Sequence, residues 1–353
     1  MPTKENHFDK DCYNDVPKTS HNFSSGGTSS SAAKQATDSE RADASVLALN
    51  RTWISPALAP LFFDIDVTGS NVEFANIFFD KFKTFWRQIL YPGKTVQEIE
   101  MIEKGKKQMD VVPYLTSFDL SLGYVGDASG DTYPHQYTNH VVGGELFKWL
   151  KKMNREKGGG ANKKESYEIA ALRVLRYCNF LSAITPFYFL VGDEAPYTII
   201  KRNEVRKYLD SGYDEELTTK QVYAELFRKF QGNVYIIQNP YFGRHNDGEM
   251  KYPRETKNMT EEWRKVIPSE YQGNLIFLLE EKAIVDVMLG IIARRSGARD
   301  KAGYTRDMVT KGQSVDRIEM VNRMLSFLDN VNVKAGQMPD NDVEGMDSCG
   351  QMM

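Results

Sequence analysis

Leu61-Phe62-Phe63-Asp64-Ile65-Asp66-Val67-Thr68-Gly69-Ser70 is an apolar run that ends in a carboxylate, two hydroxyls and a glycine, immediately before a helical pattern. A strand alternates its side chains between two faces, so Asp66, Thr68 and Ser70 share one side and Val67 points away. Gly69 lets the backbone turn tightly there. Open α/β sheets place their ligands beyond the carboxyl ends of the strands, which is where these three oxygen-bearing side chains can converge on one hard cation. Read alone, Thr68-Gly69-Ser70 serves equally well as the cap of the helix that follows, a routine task for Ser and Thr.

The chain has 353 residues, 41% of them apolar, enough for a substantial core in one large or two small domains. Its formal net charge of -3 shows no basic excess, so binding by phosphate neutralisation has no support and no nucleic-acid partner is expected. No apolar run is long enough to span a bilayer, and the start Met1-Pro2-Thr3-Lys4-Glu5 lacks the apolar segment of a secretory signal. The expectation is a cytoplasmic protein without a membrane partner. Cys12, Cys178 and Cys349 are odd in number and widely spaced, which argues against a disulfide framework and a zinc site and fits a reducing compartment.

Residues 1–45 are rich in Ser, Thr, Asn, Asp and Lys, include Ser24-Ser25-Gly26-Gly27-Thr28-Ser29-Ser30-Ser31, and read as a disordered tail. Residues 331–353, poor in large apolar side chains and carrying Asp340, Asp342, Glu344 and Asp347, read as a second one. Between them strand and helix signals alternate without an internal repeat. Phe74, Phe78, Phe82, Phe85 and Ile89 predict a single amphipathic helix from Val72 to about Leu90, stopped by Tyr91-Pro92-Gly93. Further strands are expected over Val111–Val125, Pro186–Val191, Asn233–Ile237 and Leu275–Leu279. Helices are expected over Val96–Gln108, Gly144–Met153, Glu165–Cys178, Asn203–Leu209, Thr219–Phe230 and Ala283–Ala293. Strands separated by helices pair in parallel through right-handed crossovers. The expected class is therefore α/β, a doubly wound, mostly parallel, Rossmann-like sheet with helices on both faces. One domain over 46–298 accounts for these elements. In an extension over 299–330, Val315, Ile318, Val321, Met324, Leu325 and Leu328 predict a C-terminal helix within Tyr304–Leu328.

Other loops at the same sheet edge add complementary groups. Gly158-Gly159-Gly160 is followed by Glu165-Ser166-Tyr167-Glu168-Ile169-Ala170-Ala171-Leu172, and Phe187-Tyr188-Phe189-Leu190-Val191 ends in Gly192-Asp193-Glu194. Taken singly, Ser166 is a helix N-cap and Asp193 the cap of a turn. Together with Asp66-Val67-Thr68-Gly69-Ser70 they resemble, in order and over roughly Pro56 to Ala293, the metal-ion-dependent adhesion site of von Willebrand factor A (VWA) domains, most of all an intracellular microbial branch. The resemblance implies a site in which Asp66, Thr68, Ser70, Ser166 and Asp193 hold Mg²⁺ or Mn²⁺. Ser166 stands where the family has Thr, and Gly192-Asp193-Glu194 replaces the more usual Thr-Asp-Gly, adding the carboxylate of Glu194. It further implies a protein partner whose acidic residue is gripped through the metal, with no catalytic residue. Hard cations take about six oxygen ligands and readily keep waters, so neutral hydroxyls beside Asp66 leave the metal residual positive charge and an open position. Asp127 and Asp131, in Gly126-Asp127-Ala128-Ser129-Gly130-Asp131, end another strand at this edge and read either as an outer ring or as a solvated turn. His135 and His140 lack companion ligands at metal spacing.

The first segment also matches the D-x-D-x-T pattern of haloacid dehalogenase-type phosphotransferases. Asp64 is then the nucleophile and Asp66 the general acid/base, with Gly126-Asp127 and Asp131 mimicking that family's Mg²⁺ motif. Against it, a helix starts directly after Ser70 where that family inserts a flap, and the motifs lie too close together for its intervening strands. Nor does it give Ser70, Ser166 or Asp193 a role. A metal-free scaffold on the same fold is the third reading.

Overall fold

The computed structural model describes residues 41–82, 84–155 and 163–329. Residues 1–40 of the tail predicted over 1–45, residues 330–353 with the tail predicted over 331–353, and the glycines at 158–160 lie outside the described residues. Six strands, β1 (Ala59–Asp66), β2 (Phe118–Val125), β3 (His135–Tyr137), β4 (Phe187–Gly192), β5 (Val234–Gln238) and β6 (Leu275–Phe277), form one sheet in the order β3-β2-β1-β4-β5-β6. All neighbours pair in parallel except β3, which runs antiparallel to β2. The fold is the doubly wound α/β class that the sequence predicts. Two short parallel ladders lie apart from the main sheet, Trp53–Ile54 with Cys178–Asn179 and Lys164–Glu165 with Ala195–Pro196.

The helices are α1 (Val72–Phe82), α2 (Phe85–Leu90), α3 (Val96–Glu103), α4 (Glu145–Leu150), α5 (Tyr167–Tyr177), α6 (Arg202–Tyr208), α7 (Thr219–Lys229), α8 (Pro253–Val266), α9 (Ile284–Arg295), α10 (Lys301–Thr310) and α11 (Val315–Met324). Period-two alternation in β1 divides them into two layers. Leu61, Phe63 and Ile65 pack with α1, α2, α9, α10 and α11. Phe62 packs with α5, α7 and the Trp263 end of α8. The first layer is aromatic at its centre: the Phe63 ring stacks on Phe189 at 5.3 Å and meets Phe82 and Phe85 edge-on at 5.1 and 5.4 Å. Each such ring stabilises the fold by about 1.5–3 kcal/mol on burial.

Several boundaries differ from the sequence expectation. The helix predicted over Val72–Leu90 is two helices, because Thr84 closes a tight turn, its N–H and hydroxyl both donating to Lys81 O (3.3 and 3.1 Å). The apolar stripe from Phe74 to Ile89 stays buried across that break. The helix predicted within Tyr304–Leu328 is also two, α10 and α11, parted at Gly312, whose φ of +85° suits glycine. α11 restarts with the Ser314 hydroxyl accepting from Arg317 N. The strand expected from Val111 begins only at Phe118, and the helix expected from Glu165 begins at Tyr167 because Lys164-Glu165 is paired as a strand. Helix α8, opened by Pro253 in its first turn, is an addition to the predicted set. Residues 41–45 belong with the folded body and not with a tail: Asp43 N–H donates to Lys152 O at 2.9 Å, and the adjoining Val46 is fully buried in the core.

Candidate functional site

β1 and β4 are neighbours, yet β1 leads into α1 on one face of the sheet while β4 is followed by α7 on the other. Such a divergence opens a crevice at the carboxyl ends of the two strands, the usual ligand position in open α/β sheets. Asp66 is the last residue of β1, and Asp193 follows the last residue of β4. Both are fully buried, and the charge of Asp66 acts on Asp193 across the gap between the two strands.

The residues of the D-x-T-x-S segment converge as their alternation predicts. Thr68 turns back on Asp66, its N–H and hydroxyl donating to Oδ1 at 2.9 and 2.7 Å. The Ser70 hydroxyl reaches across the crevice to Asp193 Oδ1 at 3.1 Å and Glu194 Oε1 at 3.3 Å. Both hydroxyls thus donate to carboxylates. Asp193 Oδ2 accepts the N–H of Phe242 at 3.0 Å, in a turn far along the chain from its own.

Ser166 lies at the N-terminus of α5 and is buried, but its hydroxyl makes no cap bond to that helix. Its Oγ accepts from Ala128 N at 2.9 Å, and its N–H donates to Gly126 O at 3.2 Å. The N-cap reading of Ser166 is therefore corrected. The backbone between Gly126 and Ala128 engages this serine, and the next residue makes the contact with Asp66: Tyr167 donates its phenol to Asp66 Oδ2 at 2.6 Å. A β-carbon at Gly192 would lie 2.2 Å from that phenol oxygen, so glycine at the end of β4 is what admits the tyrosine. Trp263 packs on the Tyr167 ring at 5.5 Å between centroids and donates its indole N–H to Glu194 O at 2.9 Å. Neither Tyr167 nor Trp263 belongs to a motif that marks it as a partner of these carboxylates.

Asp64 shares the face of Asp66 and lies two residues deeper. Arg173 donates to its Oδ1 at 3.2 Å and Tyr188 to its Oδ2 at 2.8 Å, while the guanidinium lies 3.7 Å from the Tyr137 ring centroid. A β-carbon at Gly123 would come within 2.4 Å of Asp64 Oδ1. Burial pushes the Asp64 carboxyl above its usual range, and Arg173 together with Tyr188 hold it back.

The carboxylates at the crevice have a different environment. Burial, followed by repulsion from Asp66 and Glu194, pushes Asp193 well above the usual range. Glu194 is pushed up to about 8, first by burial and then by Asp66. Asp66 is raised by burial against the hydrogen bonds of Tyr167 and Thr68. Asp127 and Asp131 stand at the same edge: Asp131 Oδ2 accepts Asp127 N at 2.8 Å, Tyr197 donates to Asp127 Oδ1 at 3.0 Å, and Asp127 contributes to the field at Glu194. His140 is elsewhere, bonded to Asp119 at the start of β2. His135 is buried against Tyr137, and burial lowers its pKa to about 3.

Among the described residues no three of His, Cys, Asp or Glu already stand together in ligand geometry. A cation at the crevice would accordingly draw on hydroxyls as well as carboxylates. The donors fit such an ion: they are all oxygens, the Ser70 hydroxyl reaches across the crevice to Asp193, and Glu194 Oε2 is a buried oxygen without a hydrogen-bond partner among the described residues.

No family model matches the chain, and no curated protein matches it. Among solved structures it is similar to the pilus adhesin SpaC from Lactobacillus rhamnosus GG, with a TM-score of 0.40 and 10% identity over 69% of this chain and 32% of that one. The chain thus spans about a third of that adhesin's length. A likeness of this size carries no argument about the site. Among the described residues no helix is long and apolar enough to cross a membrane.

Proposed function

We propose that this protein is a metal-dependent protein-binding domain of the VWA type, which grips an acidic residue of a partner through Mg²⁺ or Mn²⁺ at the crevice between β1 and β4. The observation that carries this reading is the contact of Ser70, at the end of the D-x-T-x-S segment, with Asp193 and Glu194 beyond β4. Residues separated by more than a hundred positions meet at the one sheet edge where this topology accommodates a ligand.

Asp66 and Asp193 would supply the charged oxygens, with Thr68, Ser70 and Ser166 as the hydroxyls closest to them in the loops. A bound Mg²⁺ or Mn²⁺ would supply a hard Lewis acid with a coordination position for a carboxylate oxygen. Tyr167 orients Asp66 by donating to Oδ2, leaving Oδ1 with Thr68, and the Phe242 N–H does the same for Asp193. Such supports commonly fix ligand orientation around a metal. The phosphotransferase alternative loses support because Asp64, its nucleophile, is ion-paired with the fully buried Arg173 two residues below the end of β1.

The test is Mn²⁺ binding followed by water proton relaxation, together with partner capture in Mg²⁺ and in chelator. Asp66→Ala is expected to abolish Mn²⁺ binding and chelator-sensitive capture while the far-ultraviolet circular dichroism stays unchanged. Undiminished Mn²⁺ binding in that variant would remove the site assignment.

A further inference from the structure

The end of the sheet opposite the crevice carries exposed aliphatic side chains. Leu58 stands just before β1 and Pro186 just before β4. Around these two strand starts Ile54, Leu58, Leu181 and Ile184 are all exposed, Leu181 by 93%, Ile54 by 69% and Ile184 by 61%. Their two segments are tied together: Ile54 pairs with Asn179 in the short ladder, and the N–H groups of Ile184 and Thr185 both donate to Leu58 O, at 2.8 and 3.0 Å. The four side chains are thereby gathered on one part of the surface, and such gathering marks an interaction site where single exposed residues do not. Beside them an open cavity of about 500 Å³ is lined by Phe180, Leu181, Ala183 and Pro186 together with Arg176 and Lys229.

Backbone and charge indicate what fits there. Ser55 N–H donates to Asn179 O, Ala57 N–H to Ser55 Oγ, Leu58 N–H to Ser117 Oγ, Leu181 N–H to Asn179 Oδ1 and Ala183 N–H to Phe180 O. With these donors engaged, an added strand finds little to pair with, whereas a helix satisfies its own backbone and offers an apolar face. The charge is one-sided: residues 50–58, 176–186 and 228–232 contain Arg51, Arg176, Arg228 and Lys229 and no acid. Arg176 is paired with Glu215 and Glu225, but Arg51, Arg228 and Lys229 form no ion pair among the described residues. Lys229 donates instead to the carbonyl oxygens of Val174, Leu175 and Cys178, which fixes its charge at the end of α5. A second copy seated about a two-fold axis would set these cations against their own images, and a flat bilayer surface would leave the cavity unfilled.

We propose that this surface, at the amino ends of β1 and β4, docks an acidic amphipathic helix of another protein, whose aliphatic side chains lie on Ile54, Leu58, Leu181 and Ile184 and enter the adjoining cavity. It is independent of the metal reading, because Asp66 and Asp193 stand at the carboxyl ends of the same two strands.

The test uses the full chain and two labelled synthetic peptides of about 18 residues, or five helical turns, with Leu at i, i+3, i+4 and i+7 spacing. One has Glu and Gln at the remaining positions, the other Lys and Gln, and fluorescence anisotropy reads the binding. The Glu peptide is expected to bind about tenfold or more tightly than the Lys peptide, to weaken as salt is added, and to bind equally in Mg²⁺ and in chelator. The double variant Leu181→Ser, Ile184→Ser is expected to weaken it about tenfold or more, as for loss of central apolar contacts. Its melting temperature is expected to stay unchanged, since both side chains are exposed. Equal binding of the two peptides, no binding of the Glu peptide, or undiminished binding in the double variant would overturn the inference. Binding lost in chelator would overturn it by placing the peptide at the crevice. A dimer in sedimentation velocity that the double variant abolishes makes the occupant a second copy, and co-sedimentation with phosphatidylserine vesicles that the same variant abolishes makes it a membrane; either result also removes the proposal.

Discussion

Asp64 and Asp66 lie on the same face of the same strand, and both are fully buried, yet their surroundings have opposite character. Asp64 faces a guanidinium and a phenol, which engage one oxygen each. Asp66 faces hydroxyls and a second carboxylate, with Glu165 and Glu194 near enough to feel its charge. A fold that can compensate one aspartate with Arg173 leaves its neighbour among other acids. The difference separates a carboxylate neutralised by an ion pair from one that has only neutral donors, and a reaction at Asp64 would require breaking that pair.

The largest expected effect tests the deeper residue. Asp64→Ala strands the buried Arg173 guanidinium, and urea denaturation is expected to show a loss of about 3–5 kcal/mol, the range for removing one partner of a buried ion pair. Asp66→Ala removes one of several mutually repelling carboxylates, so its unfolding free energy in chelator is expected to match or exceed that of the wild type. Equal losses in the two variants would break the contrast between them.

A second effect is set by pH. Glu194 is held protonated up to about 8 in the folded protein by burial and by Asp66, whereas a Glu in the unfolded chain ionises near about 4.3. Above that lower value the unfolded chain releases its proton first and gains, so the metal-free protein loses stability as pH rises towards 8. Thermal midpoints in chelator are expected to fall between pH 5 and pH 8, with a flatter slope in Glu194→Gln. A midpoint that climbs over that interval, with no difference between the two proteins, would show that the crevice carboxylates are already compensated.

The smallest effect concerns orientation. Tyr167→Phe keeps the ring against Trp263 and removes only the 2.6 Å bond to Asp66 Oδ2. Mn²⁺ affinity is expected to fall about tenfold, the lower end for loss of a group that orients a ligand, with little change in unfolding free energy. Unaltered affinity would mean that Thr68 alone sets the carboxylate.

Much of this was legible in the sequence. The apolar runs ending at Asp66 and at Gly192-Asp193 announce buried strands whose polar ends face one edge, and the strand order brings those ends together. The breaks near Thr84 and Gly312 were harder to see because the apolar stripe continues in register through the first, while the glycine at the second is a local signal that the spacing of the flanking apolar residues overrides. Helix α8 is mostly polar and shows its buried side only through Thr256, Met259, Trp263 and Val266. Tyr167 could not be recognised as a partner of Asp66, since what admits it there is the space left by Gly192. That is a tertiary fact without a periodicity of its own.

β1 is bonded to β2 along one side and to β4 along the other. Exposing its amides to solvent exchange means dividing the sheet through its middle, so their hydrogens are replaced only as fast as the whole molecule unfolds. The Phe242 N–H that holds Asp193 belongs instead to a surface segment, where Phe242 itself has a φ of 55° and is 41% exposed. Floor and rim therefore differ in what must break before they move: the floor needs the sheet divided, the rim only the bonds of one surface turn.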